Sequence, residues 1–342
     1  MDEQTFLRDV AANEQTQKAG AQMKSETLMI ETASGISLSV LVAGSGPLVV
    51  LMHGWPELGL SWRHQLPALV GAGYRVAVPD MRGYGGSSKP LAVDAYSADA
   101  LADDMAEIAA ALGAEHWVAV GHDWGAPVAW RCALRFPDRV RAVFCLSVPH
   151  AAAAPLPAAQ LFELGYPDRF YYVRYFQQPG AAETELERDA RAALKKIFFA
   201  LSGDAPLAEW IKPRPKESPL LQGLIDPPEG PLSFMSDAEL DAYAAQYRSG
   251  GFFGPTSWYR NLDLNNDQAR AYGAQHITQP AGFLAGSKEI VLAMSSRGLP
   301  TQRGLCKNLR TETILEGAGH WIQQERPQEV NAALLDFLRG IG

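Results

Sequence analysis

The chain has 342 residues, 47% of them hydrophobic and 20% charged, and a formal net charge of −8. That length holds one large α/β domain with an insertion, or two ordinary domains, and the negative balance argues against nucleic acid or an anionic membrane surface as a main partner. No apolar run reaches the length of a membrane span, and the acidic start Met1-Asp2-Glu3-Gln4 lacks the layout of a signal peptide.

Three widely spaced cysteines (Cys132, Cys145, Cys306) make neither a disulfide framework nor a zinc knuckle, so a reducing cytoplasm is the expected compartment. Residues 1–24 are polar with a weak helical pattern and read as a peripheral extension. Thr27 to Thr32 and Ile36 to Val42 flank Ala33-Ser34-Gly35 and suggest a hairpin. Pro47 to Met52 is a continuous apolar run, as expected of a strand buried on both faces. Ser61 to Leu69 has helical spacing, Tyr74 to Pro79 reads as a strand, and Asp80 to Pro90 is a glycine-rich loop. Ser97 to Leu112 is an amphipathic helix with Ser97 as N-cap and Gly113 as C′ residue. A strand at 117–120, a helix to about Phe136 and a strand from Val140 to Val148 follow. This alternation predicts βαβ units and a mainly parallel sheet with helices on both faces.

From about His150 to Leu264 the alternation is lost. The text becomes rich in Pro, aromatics and helical pieces such as Glu183 to Leu201 and Asp237 to Tyr247. Strand-like text returns at Ala281 to Gly286 and Thr311 to Leu315. The last helix, Pro327 to Leu338, has an apolar stripe at 330, 334, 335 and 338. One α/β core (25–149 and 265–342) with a helical insertion (150–264) is therefore expected.

The chemistry centres on Gly121-His122-Asp123-Trp124-Gly125, where a buried strand meets a helix. Small residues on both sides of the middle position allow a turn so sharp that the central side chain stands up from the sheet end. A bare helix N-cap would explain Asp123 alone, but not the two glycines or the strand before them. A carboxylate there suits displacement at a saturated carbon, with an alkyl ester formed on the enzyme. His320, in Gly317-Ala318-Gly319-His320-Trp321, follows the 311–315 strand and could supply the base that activates water against that ester. The acid that orients it is expected at a strand end; Glu289 is the only acid in Ser287-Lys288-Glu289-Ile290-Val291, and the alternative place, Pro149-His150-Ala151, has none. His53-Gly54-Trp55-Pro56 ends the neighbouring strand, so the Trp55 and Trp124 amides are candidates for an oxyanion hole.

These segments resemble the α/β-hydrolase-fold epoxide hydrolases with a helical cap, over about residues 25 to 342. The resemblance implies a cis Trp55–Pro56 bond, and two cap tyrosines that bind the epoxide oxygen. Tyr171-Tyr172-Val173-Arg174-Tyr175-Phe176-Gln177-Gln178-Pro179-Gly180 puts one at Tyr172, and Ser257-Trp258-Tyr259-Arg260-Asn261 puts the other at Tyr259. Read from the residues alone, two such tyrosines would be core. The chemical need is a phenol that stays protonated until the ring opens. Glu289 stands where many relatives have Asp; Tyr171 and Tyr175 read as packing, and the Asp80 loop as structural.

The reaction implied is hydrolysis of an apolar epoxide to a vicinal diol, with Asp123 as nucleophile, His320 and Glu289 on the water, Tyr172 and Tyr259 on the oxygen, and Phe176, Trp55 and Trp124 against the substrate. Trp258, Phe252 and Phe253 also suggest an apolar pocket. No metal or organic cofactor is implied, and a monomer or homodimer is expected. The rivals are a dehalogenase using the same Asp123 and a non-catalytic ligand receptor on the same scaffold; a serine esterase is disfavoured because position 123 is not Ser.

Overall fold

Leu48–Met52 forms the central strand β3, and all five of its residues are buried. Its side chains divide between two cores. Leu48, Val50 and Met52 face one cluster, and Val49 and Leu51 face the other, as the two-residue period of a strand requires. The computed structural model describes residues 24–341 apart from residue 211, so the expected N-terminal extension lies almost wholly outside the described residues.

The strands are β1 (Ser25–Glu31), β2 (Ser37–Gly44), β3, β4 (Arg75–Pro79), β5 (Trp117–His122), β6 (Val140–Leu146), β7 (Ala281–Gly286) and β8 (Leu309–Leu315). They form one sheet in the order β1-β2-β4-β3-β5-β6-β7-β8. The expected hairpin is present as β1 and β2, and β2 also pairs antiparallel with β4. Every other pairing is parallel.

Between β3 and β6 lie α1 (Gln65–Gly71), α2 (Ala98–Ala111) and α3 (Gly125–Arg135). α2 and α3 cover one face through Leu101, Met105, Ile108, Val128 and Cys132. α1 covers the other with Leu66 and Leu69, beside the last helix. The helix expected over 61–69 is split. Gly59–Trp62 is a single 3-10 turn and α1 starts only at Gln65, which leaves Pro67 in the first turn, where a missing N–H costs nothing. Ser97 takes an extended N-cap backbone without a side-chain hydrogen bond, and Gly113 has φ +70 after α2.

The segment between β6 and β7 is helical: α4 (Ala158–Gly165), α5 (Tyr172–Phe176), α6 (Ala181–Leu186), α7 (Ala190–Ala200), α8 (Leu207–Trp210), α9 (Asp237–Gly250), α10 (Phe253–Ser257) and α11 (Leu262–Arg270). The single helix expected over 183–201 is two. Asp189 accepts the Ala192 N–H at 3.0 Å and caps a new helix, α7, where a continuous one would have run through. Ser236 and Glu239 form a capping box at the start of α9. Trp258 ties this segment to the sheet side by donating from Nε1 to the Arg82 carbonyl at 3.1 Å.

After β7 come α12 (Ile290–Met294) and α13 (Gly298–Leu305), and after β8 come α14 (Ile322–Glu325) and α15 (Pro327–Arg339). The buried stripe of α15 is Val330, Leu334, Phe337 and Leu338. Leu335 is only half-buried, because a 3.6-residue period carries the stripe from 334 to 337 and 338. Asp80 holds its loop by accepting the Gly86 N–H at 2.9 Å and ties it to the Gly59–Trp62 turn by accepting the Gly59 N–H at 3.1 Å.

Candidate active site

β5 ends and α3 begins within three residues, and Asp123 occupies the turn with φ +49. A non-glycine residue there is held only by its surroundings. The two glycines explain how. A Cβ on Gly121 would overlap the Gly125 carbonyl, and one on Gly125 would overlap the Met52 carbonyl, so strand, turn and helix close together only with hydrogen at both positions. Gly54 has the same role toward the side chain, since a Cβ there would overlap the Asp123 carboxylate.

That carboxylate is gripped from two sides. The Trp55 N–H donates to Oδ1 at 2.7 Å, and His320 Nε2 faces Oδ2 at 3.4 Å. The Trp55–Pro56 bond is cis. The Trp124 amide, at the N-cap of α3, donates to no acceptor among the described residues. Of the two amides expected to act together, one already holds the carboxylate and the other is free.

His320 is buried in the loop between β8 and α14, with Nδ1 at 2.9 and 3.0 Å from the two oxygens of Glu289. Glu289 is 1% exposed, and it also N-caps α12 by accepting the Val291 N–H at 2.9 Å. Burial alone would push the imidazole down. The charge of Glu289 and the hydrogen bond and charge of Asp123 more than offset it and hold His320 well above the usual histidine range. Burial likewise works to raise Glu289, but the facing His320 brings it below the usual carboxylate range.

Tyr172 and Tyr259 meet from α5 and from the turn after α10, with ring centroids 5.9 Å apart. Burial, and the nearby Asp123 charge among other neighbours, raise both phenols well above their usual range, so both are protonated at neutral pH. They share a cavity of about 520 Å³ with Asp123 and Trp124, whose apolar wall includes Val148, Ala151–Ala154 and Leu161.

The other aromatics are placed differently from expectation. Phe176, expected against the substrate, is fully buried and packs on Tyr259 at 4.8 Å and Trp55 at 5.0 Å, behind the phenols. The Trp55 indole lies in that same layer and is not on the wall of this cavity. Trp258 and Phe252 are fully buried core residues. Tyr171, expected as packing, stacks on Tyr166 at 4.1 Å and also lines the cavity.

Several residues at the site carried no sequence signal. His122, the last residue of β5, places Nδ1 2.6 Å from the Glu57 carboxylate and Nε2 2.7 Å from the His320 carbonyl. Burial would raise Glu57, but His122 and the Ser61 hydroxyl oppose it and the carboxyl sits at about 2. Gln323 and Gln324 complete its shell at 2.8 and 2.9 Å. Ser147, with φ +69, donates to the His320 carbonyl at 2.9 Å. His53 is structural: Nδ1 donates to the Gly54 carbonyl and Nε2 accepts the Met81 N–H, each at 3.0 Å.

With a mostly parallel sheet, an acid on the β5 elbow and a histidine after β8, residues 47–327 match the α/β-hydrolase fold family, and the chain belongs to it. It is 40% identical over 327 residues to epoxide hydrolase A of Mycobacterium tuberculosis, an alignment covering 93% of this chain and 99% of that protein. Epoxide hydrolase B of the same organism is 36% identical, covering 86% and 92%. Among solved structures, epoxide hydrolase A from Mycobacterium thermoresistibile superposes with a TM-score of 0.84 at 42% identity, covering 93% of this chain and 98% of that one. An epoxide hydrolase from an endophytic Streptomyces gives 0.89 at 39% identity, covering 93% and 96%. Within the α/β-hydrolase fold the chain belongs to the epoxide hydrolases.

Proposed function

We propose that Asp123 is the nucleophile of an epoxide hydrolase reaction, and that residues 150–264 act as a cap supplying the acid groups. Asp123 Oδ2 attacks one ring carbon, the carbon–oxygen bond opposite breaks, and the new alkoxide takes a proton from Tyr172 or Tyr259. The product of this step is an alkyl ester on Asp123. Water then attacks the ester carbonyl, giving a proton to His320 Nε2, while the Trp55 and Trp124 amides bear the charge that develops on Oδ1. Collapse of that intermediate expels the diol alkoxide, which takes its proton from His320 and leaves Asp123 as the carboxylic acid, which then gives its proton to solvent and returns to the carboxylate. The tyrosinate regains its own proton from solvent.

The observation that carries this reading is one cavity lined by both a twice-held carboxylate and two protonated phenols. A haloalkane substrate needs the first but not the second, since halide leaves without a proton. Forming the ester also prepares the base. Alkylation neutralises Asp123, so the part of the upward push on His320 that Asp123 supplies disappears, and the imidazole becomes easier to deprotonate when it must accept a proton.

The substrate class that fits is an apolar epoxide, judged from the alanine-rich wall beside Val148 and Leu161. Among the described residues no helix is long and apolar enough to cross a membrane, in keeping with a cytoplasmic setting. The test is a single turnover in 18O water followed by mass analysis of the Asp123 peptide. One labelled oxygen on Asp123 is expected; an unlabelled peptide beside a labelled diol would exclude the ester. Halide release from haloalkanes with no diol formed from any epoxide would favour the dehalogenase.

A further inference from the structure

The His320 loop is fastened to the segment that carries Tyr172 and Tyr259, and one carboxylate is at the centre of the joint. Glu325, the last residue of α14, receives the Gly203 N–H at 2.8 Å and the Gly319 N–H at 2.9 Å on Oε2, and the Trp321 N–H at 3.0 Å on Oε1. Gly203 follows α7, whereas Gly319 and Trp321 flank His320 directly. Around this carboxylate the two segments are in backbone contact. The His320 N–H donates to the Leu201 carbonyl at 2.8 Å, Trp321 Nε1 donates to the Phe198 carbonyl at 2.7 Å, and Lys288 Nζ donates to the Gly203 carbonyl. A Cβ on Gly319 would overlap the Gly203 amide, and one on Gly203 would overlap the Gly317 carbonyl.

We infer that Glu325 is a positioning residue for ester breakdown, holding His320 in register with the helical segment through three backbone N–H bonds. The inference rests on His320 being the base. Glu325 touches neither Asp123 nor the cavity wall, so it acts only through the loop it holds. Three N–H groups on one carboxylate fix both the height and the tilt of that loop, and a hydrolytic step is sensitive to small misplacements of its base. Alkylation uses Asp123, Tyr172 and Tyr259 and does not require His320 as a base, so loosening the joint should separate the two steps.

The experiment uses the full-length enzyme and whichever member of a panel of terminal, internal and aryl epoxides it turns over fastest. Alkylation and ester breakdown are followed separately by rapid quench and mass analysis of the alkyl-enzyme. For E325Q, which keeps one acceptor oxygen but places an NH2 against one of the three N–H sites, alkylation stays within about threefold of the parent. Ester breakdown slows about tenfold or more, so kcat and KM fall together. E325A, with all three N–H groups unpaired, slows breakdown further. Gly203→Ala disturbs the joint from the other side with the carboxylate intact, and slows the same step. A fall in both rate constants by one common factor, or no change in either, in a folded E325Q overturns the inference. A parent that forms no alkyl-enzyme overturns the functional reading beneath it, and that outcome is visible before any variant is made.

Discussion

Glu289 faces the Nδ1 edge of His320 with both carboxylate oxygens, at 2.9 and 3.0 Å, while the opposite ring nitrogen faces Asp123. The imidazole therefore has one orientation, with Nδ1 as donor and Nε2 turned toward the Asp123 carboxyl. Glu289 is also the neighbour whose charge does most to raise the histidine. Glu289→Gln keeps an acceptor at Nδ1 but removes that charge. Single-turnover ester breakdown, which rises with pH as His320 loses its proton, should then inflect at lower pH than in the parent. Its plateau should fall on the order of a hundred-fold or more, because the charged form is no longer stabilised in the transition state. An unmoved inflection would remove Glu289 from this role.

The phenols are tested through the other half of the reaction. Tyr172→Phe and Tyr259→Phe each slow alkylation, and the double variant slows it on the order of a thousand-fold, with ester breakdown little changed. Rapid-quench measurement of the alkyl-enzyme separates the two. Full alkylation in the double variant would point back to a leaving group that needs no acid.

Gly54→Ala tests the fit around the carboxylate. The added methyl overlaps Asp123 rather than a core side chain, so unfolding by urea should change modestly. The Trp55 contact to Oδ1 would be lost, and kcat/KM should fall about a hundred-fold for that displacement. Activity near the parent level would show that the resting grip of Trp55 on Asp123 is dispensable.

His150 gives a stability prediction. It is 4% exposed, its Nε2 donates to the Gln275 carbonyl at 2.8 Å, and burial lowers its pKa to about 4. The folded protein resists taking up this proton while the unfolded chain binds it below about 6.5. Stability is therefore lost as pH falls from about 6.5 to 4, by up to roughly 3 kcal/mol from this group. His64, also held at about 4 by burial and Arg63, acts in the same direction, so the comparison must be with a variant. In His150→Gln the decline of unfolding free energy between pH 7 and 5 should be shallower, whatever its starting level. Parallel curves for the two proteins would refute the assignment.

The parts of the site that the sequence announces are those whose constraint is local. Asp123 between Gly121 and Gly125 requires only ten neighbouring residues to interpret, because strand, turn and helix are contiguous. The strands β3, β5 and β7 were legible for the same reason: burial on both faces leaves an unbroken apolar run. Glu289 could be chosen because only one acid stood near that strand end. Glu57 could not, since its partners His122, Gln323 and Gln324 lie 65, 266 and 267 residues away. Phe176 and Tyr171 exchanged expected places because an aromatic-rich segment does not reveal which ring faces a cavity and which supports it. The break between α6 and α7 depended on the Asp189 side chain turning back to cap, a choice that periodicity does not record.

Asp123 and His320 stand on loops of the sheet, whereas Ala151–Ala154, Leu161 and Leu262, which shape the cavity, lie outside it. Exchanging Ala152 for a bulkier side chain would narrow the range of molecules admitted and leave the bond-making groups where they are. Selectivity and reactivity can thus drift separately in descendants of this chain, which gives the alanine wall, more than the elbow, the freedom to diversify.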